Sequence, residues 1–586
     1  MDRIKQILLL FAIISTQLVS AQKLIIVDES IYLHANGSTF VSGETLLYKV
    51  YCLKSSDKTP SILSKIAYVE IVDSNKKSVL KTKIALENSC GQGDYFIPTT
   101  LKSGKYKLIA YTDWMLNKPT SDLFQIDITI INPFNMDEKS ASGTIVKTNQ
   151  GNSDPAVSTN ENISTNNNIT SESLKFNLNK KTFTNRELVD LKIESVNPLF
   201  KDGAYSLSVR KIDHLPTSSQ ISAKTFSENK SNAIIDVQNP ESKIVLPELR
   251  GEIISGKITA KNNIDKVDNI TVALSLPGKS FVFKSVKTDS AGNFIFYIDR
   301  ASYSPDITIQ IIDDQASHYS ISLNNLPQID YSKLSFISDE NLSFSIKDDL
   351  VNRSISSQIE NAYYHKKIDN ISKAPNYDPF YYPIAKEYIL DNYTRFKTLR
   401  ETFTEVVIEV YNKPKDDKAY LHVNNPNIFP QLPEPALVLI DGLYLENQNE
   451  LMTYNMKNVY KVEVIIGRYY VGPKSFNGLI SFTTFDKDFK STQSGSSILK
   501  TSILRPQLKK IYNKISYVNL ADNERIPDFR NQLFWNPEVK INSQNNNSFY
   551  TSDLSGTFEV ILEGFAKNGT PVSLKEIIEV KDLALN

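Results

Sequence analysis

The chain has 586 residues, 40% of them apolar and 23% charged, enough to bury several cores; at one domain per roughly 100–200 residues it divides into about three to six units. Lys and Arg number 66, as do Asp and Glu, and this balance argues against a general nucleic-acid binder, which carries a basic excess. Glycine, at 20 residues, is too scarce for a collagen-like or glycine-rich fibrous chain, and 29 Tyr with 28 Phe lean the composition toward β-structure.

Residues 1–21 read as a signal peptide. Arg3 and Lys5 precede the apolar run Ile7 to Ile14, and Val19-Ser20-Ala21 supplies small residues at a signal-peptidase site, predicting cleavage before Gln22. No Cys follows the run for a lipid anchor, and no later stretch is long and apolar enough to span a membrane. The mature chain is expected to be exported and held at a membrane, if at all, by a partner. Cys52 and Cys90 both fall in the first folded region. Export permits a disulfide between them; two buried, reduced thiols are the alternative.

Residues 22–137 read as a β-sandwich. Lys23 to Val27, Glu44 to Leu53, Lys65 to Val72 and Phe124 to Ile131 are β-branched or aromatic-rich, with turn residues between them. Residues 138–173 are mostly Asn, Ser and Thr without an aromatic residue, and are predicted to form a flexible linker open to early proteolysis. Residues 174–246 read as a second sandwich and 247–330 as a third. In the third, Thr288-Asp-Ser-Ala-Gly-Asn-Phe-Ile-Phe296 is a turn feeding a strand. Residues 331–397 connect, with helical spacing of Leu350, Val351, Ile355, Ile359, Ala362 and Tyr363.

Residues 398–485 form a small α/β unit. A helix carries Leu399, Phe403, Val406 and Val407; Pro435 to Ile440 is a buried-type strand ending at the turn Asp441-Gly442, and Val459 to Ile466 and Gly478 to Thr484 are two more. Residues 496–586 are a last β-rich unit. The fold class is therefore mainly β: serial sandwiches with one small α/β domain.

Several segments carry a family resemblance. Gly104-Lys-Tyr-Lys-Leu-Ile-Ala-Tyr-Thr-Asp-Trp-Met-Leu-Asn117, with Ser42-Gly-Glu-Thr45 and Gly91-Gln-Gly-Asp-Tyr-Phe96, resembles macroglobulin-type MG2 domains of exported Bacteroidota proteins. Residues 247–298 are similar to the carboxypeptidase-regulatory-like sandwich. Pro435-Ala-Leu-Val-Leu-Ile-Asp-Gly442, Val462-Glu-Val-Ile-Ile-Gly467 and Phe476-Asn-Gly-Leu-Ile-Ser-Phe-Thr-Thr484 resemble the plug of TonB-dependent outer-membrane receptors. Tyr393-Thr-Arg-Phe396, Leu399-Arg-Glu-Thr402 and Ile526-Pro-Asp-Phe-Arg530 also look characteristic of such multidomain proteins. About a hundred residues follow the plug-like unit, too few for a large barrel at roughly 9–11 residues per strand, so transport by this chain alone is not expected.

The resemblance implies macroglobulin/Ig-like sandwiches and a scaffold or accessory subunit of an outer-membrane complex. Its partner would be a SusC-like, TonB-dependent barrel or another assembly for uptake, secretion or protein insertion. A macroglobulin-like protease trap is an alternative, but Cys90-Gly91-Gln92-Gly93 lacks the Glu and shifts the Gln of a Cys-x-Glu-Gln thioester. A carbohydrate-binding surface protein is another. No nucleophile elbow, P-loop or His-Glu-x-x-His is present, and the five His are scattered; no catalytic residue, cofactor or metal is expected. Asp441, Gly442 and Gly478 are expected to shape the plug-like turn and a close backbone approach, in service of packing or docking. Asp289-Ser290-Ala291 resembles a short O-glycosylation pattern at Ser290. Trp114 and Trp535 are expected under strands.

Overall fold

The computed structural model describes residues 28–135, 174–229, 244–262, 265–300, 304–336, 346–372, 378–382, 385–427, 433–518, 526–541 and 547–582. The predicted signal peptide and all of the predicted linker lie outside these residues.

The first unit is a sandwich built from consecutive chain. One sheet orders the strands Glu29–Ala35, Thr45–Lys54 and Cys90–Phe96. The other orders Thr39–Val41, Phe124–Ile131, Gly104–Tyr111, Ile66–Asp73 and Ser78–Ala85. Three predicted strands thus form within a residue or so of their expected bounds; Lys23 to Val27 lies outside the described residues. Both inner faces supply one core containing Ile31, Tyr48, Val50, Ile71, Leu108 and Ile128.

The rest of the chain is nested. Residues 174–246 and 496–586 were expected as separate domains; instead they share one sandwich. Its main sheet orders Thr182–Thr184, Pro571–Lys581, Gly556–Ala566, Gly203–Lys211 and Gln532–Val539. Leu207 and Val209 share a core with Phe534, Val560, Leu562 and Ile578. The reason is physical: Gly203–Lys211 is buried along most of its length and its neighbours come from the far end of the chain.

Inside that unit sits the third sandwich. Its sheets are Asn293–Ile298, Glu252–Ala260, Tyr319–Leu323 and, facing them, Val282–Lys287, Thr271–Leu276, Asp306–Ile311, Ile498–Ser502. The last strand returns after the plug-like unit, so the expected boundaries at 330 and 496 do not hold. The plug-like unit lies inside this third one. Its sheet orders Lys386–Ile389, Val459–Val471, Lys474–Thr484, Leu437–Ile440 and Leu443–Tyr444; it begins before residue 398, because Lys386–Ile389 pairs with Val459–Val471. The helix Leu399–Glu405 starts at a capping box in which Thr398 and Glu401 satisfy each other's backbone N–H groups.

The predicted connecting helix forms at Lys347–Ala362 with Leu350 buried as expected, but the rest of its buried side is polar. Arg353, Ser354, Ser356 and Ser357 are buried, whereas Val351 and Ile355 are 46% and 47% exposed. The buried side is chosen by charge: Arg353 reaches across to Glu44 of the first sandwich.

Candidate functional site

The Asp441-Gly442 turn sits where the plug-like sheet meets the third sandwich. Asp441 and Gly442 have φ of +49° and +82°, the left-handed conformations that a tight Asp-Gly hairpin turn requires. The Asp441 carboxylate is buried and does more than close the turn. It accepts hydrogen bonds from Thr484 N at 2.8 Å, Thr484 Oγ1 at 2.6 Å and Phe489 N at 3.1 Å. It thereby ties the end of the central strand Lys474–Thr484 to the chain that leaves it. Gly442 is a close approach: a Cβ there would run into Phe281 of the third sandwich. Gly478, at φ +91°, faces Val423 and the Ile465 carbonyl in the same way.

The two faces of the plug-like sheet have different partners. Val438, Ile440, Val462, Val464, Ile480 and Phe482 pack on the unit's own helices through Leu399, Phe403 and Leu451. Leu437, Leu439, Ile465 and Leu479 point the other way and pack with Ala273, Phe283 and Ile312 of the third sandwich. Period-two alternation places successive residues on opposite faces, so a run that is apolar without interruption is a strand covered on both sides. Backbone bonds stitch the same seam: Gly278 N donates to Asp441 O at 3.0 Å, Tyr444 N to Ser275 Oγ at 3.1 Å and Ser285 Oγ to Val471 O at 2.5 Å. The turn is an internal joint, with neither side open to an outside partner.

The two cysteines are free, the second of the two alternatives that the sequence left open. Cys90 pairs across the sheet with Tyr51, not with Cys52. Cys52 therefore points to the opposite face of its strand, where its thiol lies 3.4 Å from Glu29 Oε1. Burial pushes both thiols above their ordinary pKa, so neither is an activated nucleophile. Ser290 is exposed in its turn, while Asp289 Oδ1 accepts from the backbone of Ala291 and Asn293. Trp114 and Trp535 are both buried. Among the described residues no group of three or more His, Cys, Asp or Glu is placed to hold a metal ion, and no helix is long and apolar enough to cross a membrane.

Two charge clusters were not anticipated. Glu44, in the Ser42-Gly-Glu-Thr45 segment, accepts from Arg353 Nη2 at 2.6 Å and Arg210 Nη2 at 3.1 Å, and Arg353 also holds Asp213 at 3.0 Å. Burial alone would push the Glu44 carboxyl up; the two guanidinium groups overcome it and hold it below its ordinary value. Asp528, in the Ile526-Pro-Asp-Phe-Arg530 segment, is bound by both Arg530 Nε and Nη2 at 2.7 Å and by Tyr517. An available signal was the unusual Arg and Ser content of one helical face, since such a face is buried only against a charged partner.

Comparisons with known proteins add little. No family model matches the chain, and no curated protein matches it. Among solved structures, Salmonella alpha-2-macroglobulin reacted with methylamine aligns over 95% of this chain and 40% of its own, at 10% identity and a TM-score of 0.22. Escherichia coli alpha-2-macroglobulin activated by trypsin aligns over 94% and 23%, at 8% identity and a TM-score of 0.15. Dimeric latent PorU from Porphyromonas gingivalis aligns over 50% and 33%, at 9% identity and a TM-score of 0.16. The chain spans well under two thirds of each. Scores this low carry no argument, and the mainly β, multi-sandwich architecture rests on the strand pairing itself.

Proposed function

We propose that the chain is a non-catalytic scaffold or accessory subunit of an outer-membrane protein complex, with a SusC-like barrel or another outer-membrane assembly as its partner. One observation supports this reading above the others. Two clusters of charged groups with little exposure hold units together. Glu44 with Arg353 and Asp213, and Lys83 with Glu252 and Arg505, join distant parts of the chain instead of converging on an open cleft. Interlocked sandwiches present loops and strand edges to partners, the usual place for recognition. The MG2-like, carboxypeptidase-regulatory-like and plug-like segments favour the same setting. In this reading the chain is exported, binds the membrane only through its partner, and carries a sugar on Ser290.

The test is purification of a tagged copy from native membranes. An outer-membrane barrel protein should co-purify in fixed proportion and survive a salt wash. Recovery without any membrane partner would overturn the proposal. Retention of a protease after it has cut the chain would favour a trap instead.

A further inference from the structure

Tyr68, on the strand Ile66–Asp73, places its hydroxyl between two carboxyl groups from different units. Asp113 Oδ2, at the start of the 3-10 turn Asp113–Asn117 in the first sandwich, lies 3.4 Å away. Glu248 Oε2, in the segment that opens the third sandwich, lies 3.2 Å away. All three residues are buried, at 1%, 6% and 1% exposure. The other Glu248 oxygen accepts from Ile253 N at 3.0 Å, and its carbonyl accepts from Lys65 N at 2.9 Å. Asp113 Oδ1 is buried without a hydrogen-bond donor.

A phenol carries one hydrogen and can donate to one carboxylate. Two carboxyls on one buried phenol leave one of them without that hydrogen and would set two like charges out of water, which favours keeping one carboxyl protonated. We propose that Asp113, Tyr68 and Glu248 form a proton-held clasp between the first and third units, in which one carboxyl stays protonated, and that releasing this proton to solvent loosens the joint.

The surroundings favour retention of the proton. Burial first, then the charge of Asp113, pushes Glu248 up to about 8; burial pushes Asp113 up to about 6. The cations that oppose this are committed elsewhere. Lys83 is paired with Glu252 at 2.7 Å, and Arg505 holds the same carboxylate at 2.6 Å. Lys81 is paired with Glu70 at 3.1 Å, which also accepts from Tyr111 and Tyr331. Glu252 adds to the rise at Glu248, Glu29 lies beyond Thr112 on the other side of the turn, and Arg250 is exposed.

A carboxyl whose pKa is raised in the closed state confers stability that is full below its ordinary value and is lost as pH rises through the raised one. The joint therefore weakens from about pH 5 to about 8 and levels off above that, with opening rising up to ~tenfold per pH unit for one retained proton. Hydrogen–deuterium exchange of the full chain, corrected for intrinsic rates, reads this in peptides covering 66–72 and 247–254. Wild type should show the rise; Glu248→Gln, whose amide mimics the protonated acid, should stay closed and flat. Asp113→Asn should shift the midpoint to lower pH and shrink the change. A flat wild-type profile overturns the proposal even if neither variant folds. So does a Glu248→Gln profile with the wild-type slope, or one that is open at every pH.

Discussion

The first sandwich and the nested remainder solve the same problem differently. In the first, strands from Glu29 to Ile131 meet neighbours within one stretch of chain, and its core closes largely on itself. In the remainder, a strand at 203–211 waits for partners at 532–539 and 556–566, and a strand at 306–311 waits for one at 498–502. The first is a unit by sequence; the others are units only in space. Local contacts form with little loop-closure entropy, whereas the nested sheets close long loops before any pairing rewards them.

The strongest test of this contrast is truncation. Residues 28–135 expressed alone should fold cooperatively, with protected amides and a thermal transition. Residues 174–330 alone should not, because three of the five strands of one main sheet and an edge strand of another are missing. A folded 174–330 fragment would break the contrast. Next is Arg353→Met, which leaves the half-buried Asp213 without its guanidinium and Glu44 with Arg210 alone. Such a loss costs about 3–5 kcal/mol, read as a lower denaturant midpoint for the first sandwich. Gly442→Ala sharpens the comparison from the other side. It forces a Cβ into Phe281 at a left-handed φ, costs about 1–3 kcal/mol by overpacking, and should loosen the plug-like and third units while sparing the first. Asp441→Ala should do likewise, at about 1–3 kcal/mol for stranded donors.

A separate effect is expected on acidification. His34 is buried neutral, its Nδ1 2.6 Å from Ser206 Oγ of the nested sandwich, and burial lowers its pKa to about 3. In the unfolded chain it titrates near 6.5, so its contribution is present above that value and is lost as pH falls toward 3. His34→Gln should flatten that part of the stability profile. The smallest effect is at the thiols: reduction should change neither the intact mass nor the thermal midpoint, since Cys52 and Cys90 are free.

Much of the local structure was legible. The strands Thr45–Lys54, Ile66–Asp73 and Phe124–Ile131, the helix Leu399–Glu405 and the Asp441-Gly442 turn follow from alternation, helical apolar spacing and an Asp-Gly pair. Apolar continuity at 435–440 correctly marked a strand covered on both faces. Two things were not legible. Sheet membership across hundreds of residues leaves no local trace, so Gly203–Lys211 and Gly556–Ala566 look like strands of separate domains. The helix Lys347–Ala362 was legible at Leu350 but misled at Val351 and Ile355, where the pairing of Arg353 with Glu44 decides which side is buried. The free cysteines follow from register alone, which composition cannot supply.

The parallel pairing of Thr182–Thr184 with Glu579–Lys581 has a mechanical meaning. After the strand Leu174–Leu178 the chain forms the first of these strands, and it leaves the nested half at the other. Tension applied between residue 181 and residue 582 pulls two parallel strands in opposite directions along their axes. Their hydrogen bonds are then loaded together, in shear, instead of being unzipped one at a time. The third sandwich and the plug-like unit lie within the loop this pair closes, so they feel no pull until it slips. A chain tethered at one end to a moving partner would keep its inner units folded under force: once Leu174–Leu178 has peeled from Leu191–Ser195, this short clamp would have to release before they extend.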